Sequence, residues 1–417
     1  MLVADSWWQS LLSSIAAVAA LLPPAGVPAV PLAPPAPPQV TKSDGWVGSW
    51  AAAITQPDKT GLSATGVANT TLRQVAHLSV GGSSVRIRLS NRFGTRPLVV
   101  GPATVAPRSA SAAGTPTVEL LQLVPVTFRG RGSTTIPAGG EAVSDPVALP
   151  VAEDSDLVVS TFFPRPTGPL TQHPAGYATA FSAPGDQTGS GGAPYRKVAG
   201  IARYVLNGVE VRSAAKGSVV LFGDSITDGA VSPVDRNLRY PDQLADLLMT
   251  RGLGTLNAGI SGNRLLANGG TAGEAAIGRF ERDVVWRPGV RSVVILEGIN
   301  DIRVSRGAIS ATQLINAHRQ LIARAHTAGL KAYGATLTPY WASAQYTVGG
   351  EIARQALNHW IRTSGEYDGF VDFEHAVRDP KEPLALLPAY DSGDHLHPNT
   401  AGFTAMARAF DPNLLTG

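Results

Sequence analysis

Residues 218–229 read SVVLFGDSITDG: an apolar, β-branched run that stops at a glycine and passes through Asp224 and Ser225 into a turn. A short continuous apolar run bounded by glycine is the mark of a strand buried on both faces, as in a parallel sheet. Four more runs share this character: TLNAGI (255–260), SVVILEG (292–298), KAYGATLTP (331–339) and GFVDFE (369–374). Amphipathic segments lie between them. One starts at Ser310 with Gln313 three residues on, a capping-box spacing, and carries Leu314, Ile315, Leu321 and Ile322 on one face. Another carries Ile352, Leu357, Trp360 and Ile361. Strand and helix alternating in this way predict an α/β fold over residues 215–417, a doubly wound parallel sheet with helices on both faces. Ligands of such sheets bind beyond the carboxyl ends of the strands.

Upstream the period changes. Over residues 42–214 apolar and polar residues alternate, as in Val85, Ile87 and Leu89 around Arg86 and Arg88. Further runs, TVELLQLVPVTF (117–128), DLVVSTFF (156–163) and RYVLNGVEV (203–211), read as strands, and Ser182–Gly192 reads as a loop. No long stretch has a 3.6-residue apolar period, so this half is predicted to be an all-β sandwich of jelly-roll type. Residues 1–41 are set apart. The apolar run LLSSIAAVAALL (11–22) is too short for a bilayer span and reads as the core of a signal peptide. Its basic flank is missing, so a start upstream of Met1 is the expectation. The proline-rich stretch after it reads as an extended linker, and the expected location is extracellular.

With 44 % hydrophobic and 16 % charged residues among 417, the chain can offset its ordering entropy by burial. The absence of cysteine excludes disulfides, cysteine-zinc sites, iron-sulfur clusters and a cysteine nucleophile. A net charge of +3, from 34 basic and 31 acidic residues, makes no basic face for nucleic acid.

Chemistry-bearing residues gather at the strand ends. Ser225, at a strand-to-helix turn, stands exposed on the sheet rim as a nucleophile would; the plain alternative is an N-cap serine. Gly262, in Gly259-Ile260-Ser261-Gly262-Asn263, lets the backbone approach a ligand, and it is equally an ordinary turn glycine. Asn300, in Gly298-Ile299-Asn300-Asp301, offers a side-chain N–H to a developing oxyanion or simply forms a turn. Asp394 and His397 are three apart, so one turn puts both on one face, where the carboxylate orients the imidazole as a base. A metal site at Asp394, His395 and His397 is the competing reading, and no second cluster supplies the remaining ligands. His395 is out of phase with the pair and reads as a surface residue.

Taken together, GDSITDG, the Gly262 loop, GIND and DHLHPN resemble the four blocks of the GDSL/SGNH hydrolase superfamily. The resemblance covers about residues 217–417 and implies a flavodoxin-like hydrolase domain. It implies Ser225 as nucleophile, Asp394 and His397 as its triad partners, and the Ser225 N–H, Gly262 and Asn300 as oxyanion donors. The third block departs from the family's frequent GxND with a second glycine, having Ile299 at that place. The β half is similar in texture to secreted two-domain esterases grouped with xylanolytic arylesterase/acylhydrolases.

The expected activity is ester hydrolysis through an acyl-serine, with neither metal nor organic cofactor. The expected substrate is a short acyl ester, on acetylated polysaccharide or on a small aryl or alkyl alcohol. Asp224, Arg236, Asn237 and Tyr240 are candidate substrate contacts, with Arg239 beside them; Trp46, Trp50, His173 and Tyr177 face a sugar or fill the β core. Two other readings are an acyltransferase, which would use the same residues, and a glycan-binding or adhesion protein with an inert α/β half, which would have no need of Ser225, Asn300 and the Asp394/His397 pair together. No membrane span is expected, and the sequence does not set the oligomeric state.

Overall fold

A computed structural model of the chain describes residues 44–109, 114–411 and 413–415. The apolar run at 11–22 and the proline-rich stretch lie outside the described residues.

In the upstream half, alternation produces antiparallel sheets. One has four strands, in the order Trp46–Ala51, Leu206–Arg212, Ser84–Ser90 and Glu141–Val143. A second has six, with Thr70–Leu78 and Ser155–Phe163 paired along their full length at its centre, and two short two-stranded sheets stand beside them. Val85, Ile87, Leu89, Val209 and Val211 of the first sheet share one apolar core with Leu72, Leu78, Leu157 and Val159 of the second. The alternate positions are covered too. Glu210 is buried between Arg86 and Arg88, and Arg287 of the downstream half donates to Asn207 O at 3.1 Å.

Three readings of this half are corrected. TVELLQLVPVTF is not one strand: Leu120–Gln122 make a single 3₁₀ turn that leaves Leu121 fully exposed, and apart from single bridges at Val118 and Phe128 the pairing is confined to Val124–Val126. The apolar cluster ELLQL breaks the alternation, so it has no face to bury. RYVLNGVEV is split at Val205, whose φ of 64° is costly for a β-branched residue. There the chain changes partners: Arg203–Tyr204 pair with Gln172–His173, and Leu206–Arg212 join the four-stranded sheet. Ser182–Pro184, read as the start of a loop, belong to a strand, Phe181–Pro184, beside Thr70–Leu78.

The downstream half is built on five parallel strands: β1 (Gly217–Gly223), β2 (Leu253–Gly259), β3 (Val290–Leu296), β4 (Lys331–Ala335) and β5 (Gly369–Val371). Their order is β2-β1-β3-β4-β5, so the sequence reverses direction across the sheet at β1. Val219, Val220, Leu221 and Phe222 are all buried, as a strand covered on both faces requires. The helices that follow β1, β3 and β4 include α1 (Ser225–Asp228), α2 (Ile299–Val304), α3 (Ala311–Thr327) and α4 (Val348–Thr363). Ser310 and Gln313 form the capping box of α3, and Leu314, Leu321 and Ile322 are buried beneath it. On α4, Leu357, Trp360 and Ile361 are buried but Ile352 is 65 % exposed, off the apolar face. The runs at 331–339 and 369–374 are shorter strands than read. Thr336–Pro339 leave the sheet, and Phe373–Val377 is a helix capped by Asp372.

The halves are joined by buried backbone groups. Ser218 Oγ donates to Gly48 O at 2.9 Å, Gly48 N–H to Pro288 O at 2.9 Å, and Thr255 N–H to Ser79 Oγ at 3.0 Å. Among the described residues no helix is long and apolar enough to cross a membrane.

Candidate active site

Ser225 is the first residue of α1, directly past the end of β1 and at the reversal point of the sheet. Asp224 caps the helix by accepting the Ile226 N–H at 3.0 Å, and Gly229, with φ 96°, ends it after one turn. The serine is thereby held on a tight corner. Its Oγ lies 2.8 Å from His397 Nε2. His397 comes from the loop ahead of the C-terminal helix, and its Nδ1 lies 2.5 Å from Asp394 Oδ2. The other oxygen of Asp394 accepts the N–H groups of His397 at 2.8 Å and Leu396 at 3.0 Å. Partial burial alone would raise the Asp394 pKa. The two N–H groups and the facing imidazole outweigh it and hold the carboxyl down at about 2. An ionised carboxylate at Nδ1 favours the tautomer with Nε2 free to accept a proton.

The opposite wall comes from the ends of β2 and β3. Gly262 has φ 78°, the left-handed region open to glycine. Neither its N–H nor that of Ser225 has a hydrogen-bond partner among the described residues. Asn300 is buried; its Nδ2 donates to Asn263 O at 3.0 Å, which leaves its second N–H available. The loop that carries Gly262 is tied at several points. Asp228 Oδ2 accepts from Ser261 N–H at 2.8 Å and Oγ at 2.7 Å, and Asp301 accepts the N–H groups of Leu265 and Leu266. This set of groups can accept a proton from a serine and meet a negative oxygen with N–H donors.

Several supporting residues went unread in the sequence. Arg303 donates from Nη1 to Asn300 Oδ1 at 3.0 Å. Arg279 is wholly buried and donates to Gly223 O, Ala258 O, Asn263 Oδ1, Asp283 and Glu297, stitching the ends of β1, β2 and β3 together. Gly223 pairs with Leu296, so the next residues, Asp224 and Glu297, leave the sheet side by side. Each is fully buried with one carboxyl oxygen that has no hydrogen-bond partner among the described residues. Burial pushes the Asp224 carboxyl up to about 7, against the Ile226 N–H and the Arg303 charge, and burial raises Glu297 as well. An arginine in GRF and a glutamate in LEG carry no spacing that announces such roles.

Of the candidate substrate contacts, Asp224 and Tyr240 are corrected. Asp224 lies under the nucleophile turn, and Tyr240 is in the core, its hydroxyl 2.9 Å from Thr227 Oγ1 and its ring against Phe373. Asp224 serves there as the helix cap and Tyr240 as a core residue. Arg236 is exposed, Asn237 is half-buried with φ 50°, and Arg239 is paired with Asp242. His395 is about half exposed and turns to Asp391, with Nδ1 2.6 Å from its Oδ2, rather than to Asp394. Trp46 and His173 are buried, and Trp50 and Tyr177 are half-buried. Among the described residues no group of three His, Asp or Glu side chains is placed to hold a metal ion.

Residues 221–405 match the model of the GDSL-like lipase/acylhydrolase family. No curated protein matches the chain. Among solved structures, Est24, a carbohydrate acetylesterase from Sinorhizobium meliloti, is 18 % identical with a TM-score of 0.38, over 46 % of this chain and 95 % of its own. A GDSL-like lipase from Bacteroides thetaiotaomicron VPI-5482 is 23 % identical with a TM-score of 0.35, over 47 % of this chain and 87 % of its own.

Proposed function

The α/β half of this chain belongs to the GDSL-like lipase/acylhydrolase family and makes it a carboxylic ester hydrolase; from that premise we propose that it cleaves short acyl esters of polar alcohols through an acyl-serine. The observation that carries the reading is the unbroken path from Ser225 Oγ through His397 to Asp394, at 2.8 and 2.5 Å. Ser225 Oγ attacks the ester carbonyl while His397 Nε2 takes its proton. The oxygen of the tetrahedral intermediate is met by the N–H groups of Ser225, Gly262 and Asn300. His397 then returns the proton to the departing alcohol. Water, activated by the same imidazole, attacks the acyl-serine and releases the acid. Asp394 stays ionised throughout and stabilises the imidazolium.

The polar substrate is supported by the side chains around this path. Arg303 stands beside Asn300, and His395 and Asp391 are in the same loop as the Asp394/His397 pair, with the His395 ring half exposed. Acetyl groups on plant polysaccharide are the substrates this proposal favours. Secretion belongs to the proposal and rests on residues 11–22 of the sequence. So does a jelly-roll form for the β half, supported by two antiparallel sheets over one core.

Release of acetate from acetylated xylan, beside release of p-nitrophenol from its acetate and octanoate, tests the reading on the wild type and on Ser225→Ala. The expected result is turnover of xylan and of p-nitrophenyl acetate by the wild type alone. Cleavage of the octanoate in preference to both acetyl esters would overturn the short-acyl assignment. Equal turnover by Ser225→Ala would overturn the serine mechanism.

A further inference from the structure

We infer that His173, contributed by the β half, is a positioning residue for acyl transfer: through Asp228 it holds Ser261, and with it the neighbouring Gly262 N–H, in place beside the nucleophile. The inference rests on the esterase reading above and gives the β half a part in the chemistry.

His173 is buried and its ring is fixed at both ends. Nδ1 lies 2.6 Å from Ala53 O, and Nε2 lies 2.9 Å from Asp228 Oδ1. Both partners are oxygens, so each ring nitrogen is held against an acceptor. The backbone of His173 is anchored as well, by pairing with Arg203 in the short sheet Gln172–His173 with Arg203–Tyr204. Nothing in this half therefore yields easily under the imidazole.

Asp228 is the last residue of α1, the helix that opens with Ser225. It is fully buried, and its two oxygens face different partners. Oδ1 takes His173, and Oδ2 takes both the N–H and the hydroxyl of Ser261. The path from the β half to the Gly262 loop thus runs through two side chains, with hydrogen bonds of 2.9 Å, buried, and 2.8 Å, partly buried. There is no slack along it. A Cβ added at Gly259 would sit 2.2 Å from the Asp228 backbone nitrogen, and Asn257 Nδ2 donates to Thr227 O at 2.9 Å, so α1 and the end of β2 move together or not at all.

Without His173, Asp228 Oδ1 becomes a buried carboxylate oxygen lacking a donor. Such a group is costly enough to rotate toward water or another donor. Rotation of the carboxylate takes Oδ2 away from Ser261, and the Gly262 N–H is displaced with it. A donor displaced from the developing oxyanion acts on the transition state more than on the bound ester.

The experiment compares the full-length wild type with His173→Phe, which keeps the ring volume, His173→Ala, and His173→Gln, which returns an N–H donor near the position of Nε2. Two readouts are taken: kcat and KM on p-nitrophenyl acetate, and amide hydrogen exchange over residues 259–264. The expected result is a kcat lowered about ten-fold or more in His173→Phe and His173→Ala, with KM within about three-fold of wild type. Exchange in the Gly262 loop rises in the same two variants, and His173→Gln recovers both readouts. An unchanged kcat in His173→Phe, unchanged exchange over 259–264, or a raised KM at constant kcat would each overturn the inference. If the wild type cleaves no ester, the esterase reading falls on its own, and exchange still decides whether His173 holds the loop.

Discussion

Arg303 donates to Asn300 Oδ1 at 3.0 Å, and this bond fixes which end of the Asn300 amide is turned toward Asn263 O and the nucleophile. The two ends of an amide differ little in shape, so an asparagine is oriented only by what it bonds. With Oδ1 taken by a guanidinium, Nδ2 is left to point its donors at Asn263 O and at the site. A flipped amide would set an acceptor against a developing oxyanion. Asn300→Ala is therefore expected to lower kcat about 10² to 10³-fold with little change in KM, as loss of an oxyanion donor does. Arg303→Met should lower kcat by a smaller factor, about ten-fold, and should add nothing in the Asn300→Ala background. Full additivity of the two effects on p-nitrophenyl acetate would separate Arg303 from Asn300.

Asp394→Asn probes the far end of the path. The amide still accepts the N–H groups of Leu396 and His397, so the loop should keep its form and the thermal midpoint should stay near that of the wild type. Its NH₂ can face Nδ1 only if the imidazole carries its proton on Nε2, the wrong tautomer for a base. A kcat lowered by about 10⁴ is expected. The same carboxyl is held at about 2 in the folded chain, below its unfolded value near 3.9. The stability it contributes is fully present above the unfolded pKa and lost as pH falls through the folded one. Circular dichroism between pH 4 and pH 2 should show that loss in the wild type and a shallower one in Asp394→Asn.

Asp224 has the opposite sign. Burial raises its carboxyl to about 7 in the folded chain, so between about pH 4 and pH 7 the folded state holds a proton that the unfolded state has released. Stability falls as pH rises through that window, by at most roughly 1.4 kcal/mol per pH unit. Asp224→Asn keeps a side-chain oxygen for the Ile226 N–H and removes the titration. Its urea midpoint should change less than that of the wild type between pH 5 and pH 8. Parallel curves for the two proteins would exclude Asp224 as the source.

Three of the four blocks were legible because each places its residue at the carboxyl end of a strand, and strands buried on both faces announce themselves as apolar runs. Asp394 and His397 needed only their spacing. The supports were not legible, because their partners lie far off in the chain: Arg279 bonds Gly223 O from 56 residues away, and His173 bonds Asp228 from 55. His173 looked like a core or sugar-facing residue because nothing near it in sequence is charged. Asp224 and Tyr240 were misplaced for a related reason. Nearness to Ser225 suggests the cleft, but the corner is packed: Ser225 is itself only 7 % exposed, and Asp224 and Tyr240 are fully buried. TVELLQLVPVTF misled through composition, since apolar content without alternation gives a strand no face to bury.

Arg279 offers the sharpest test of how the site is held. The guanidinium is fully buried over the Phe222 ring, with Nε on Asn263 Oδ1 at 2.9 Å and its two Nη groups on Gly223 O, Ala258 O, Asp283 and Glu297 at 2.8 to 3.2 Å. Its planar fork is matched to these five oxygens, and a lysine ammonium cannot reach them all. Arg279→Met would leave Glu297 and two strand-end carbonyls buried without that donor, and should cost about 3 to 5 kcal/mol in urea unfolding. Arg279→Lys keeps the charge and should cost less, yet it removes the donor to Asn263 Oδ1 and so loosens the residue whose backbone carbonyl holds Asn300, leaving the Asn263 side chain its bonds to Ala272 O and Glu274 O. Its kcat should therefore fall even at temperatures where it is fully folded. A folded Arg279→Lys with wild-type kcat would mean that Asn263 keeps its place without the guanidinium, and that the strand ends alone set the geometry of the oxyanion wall.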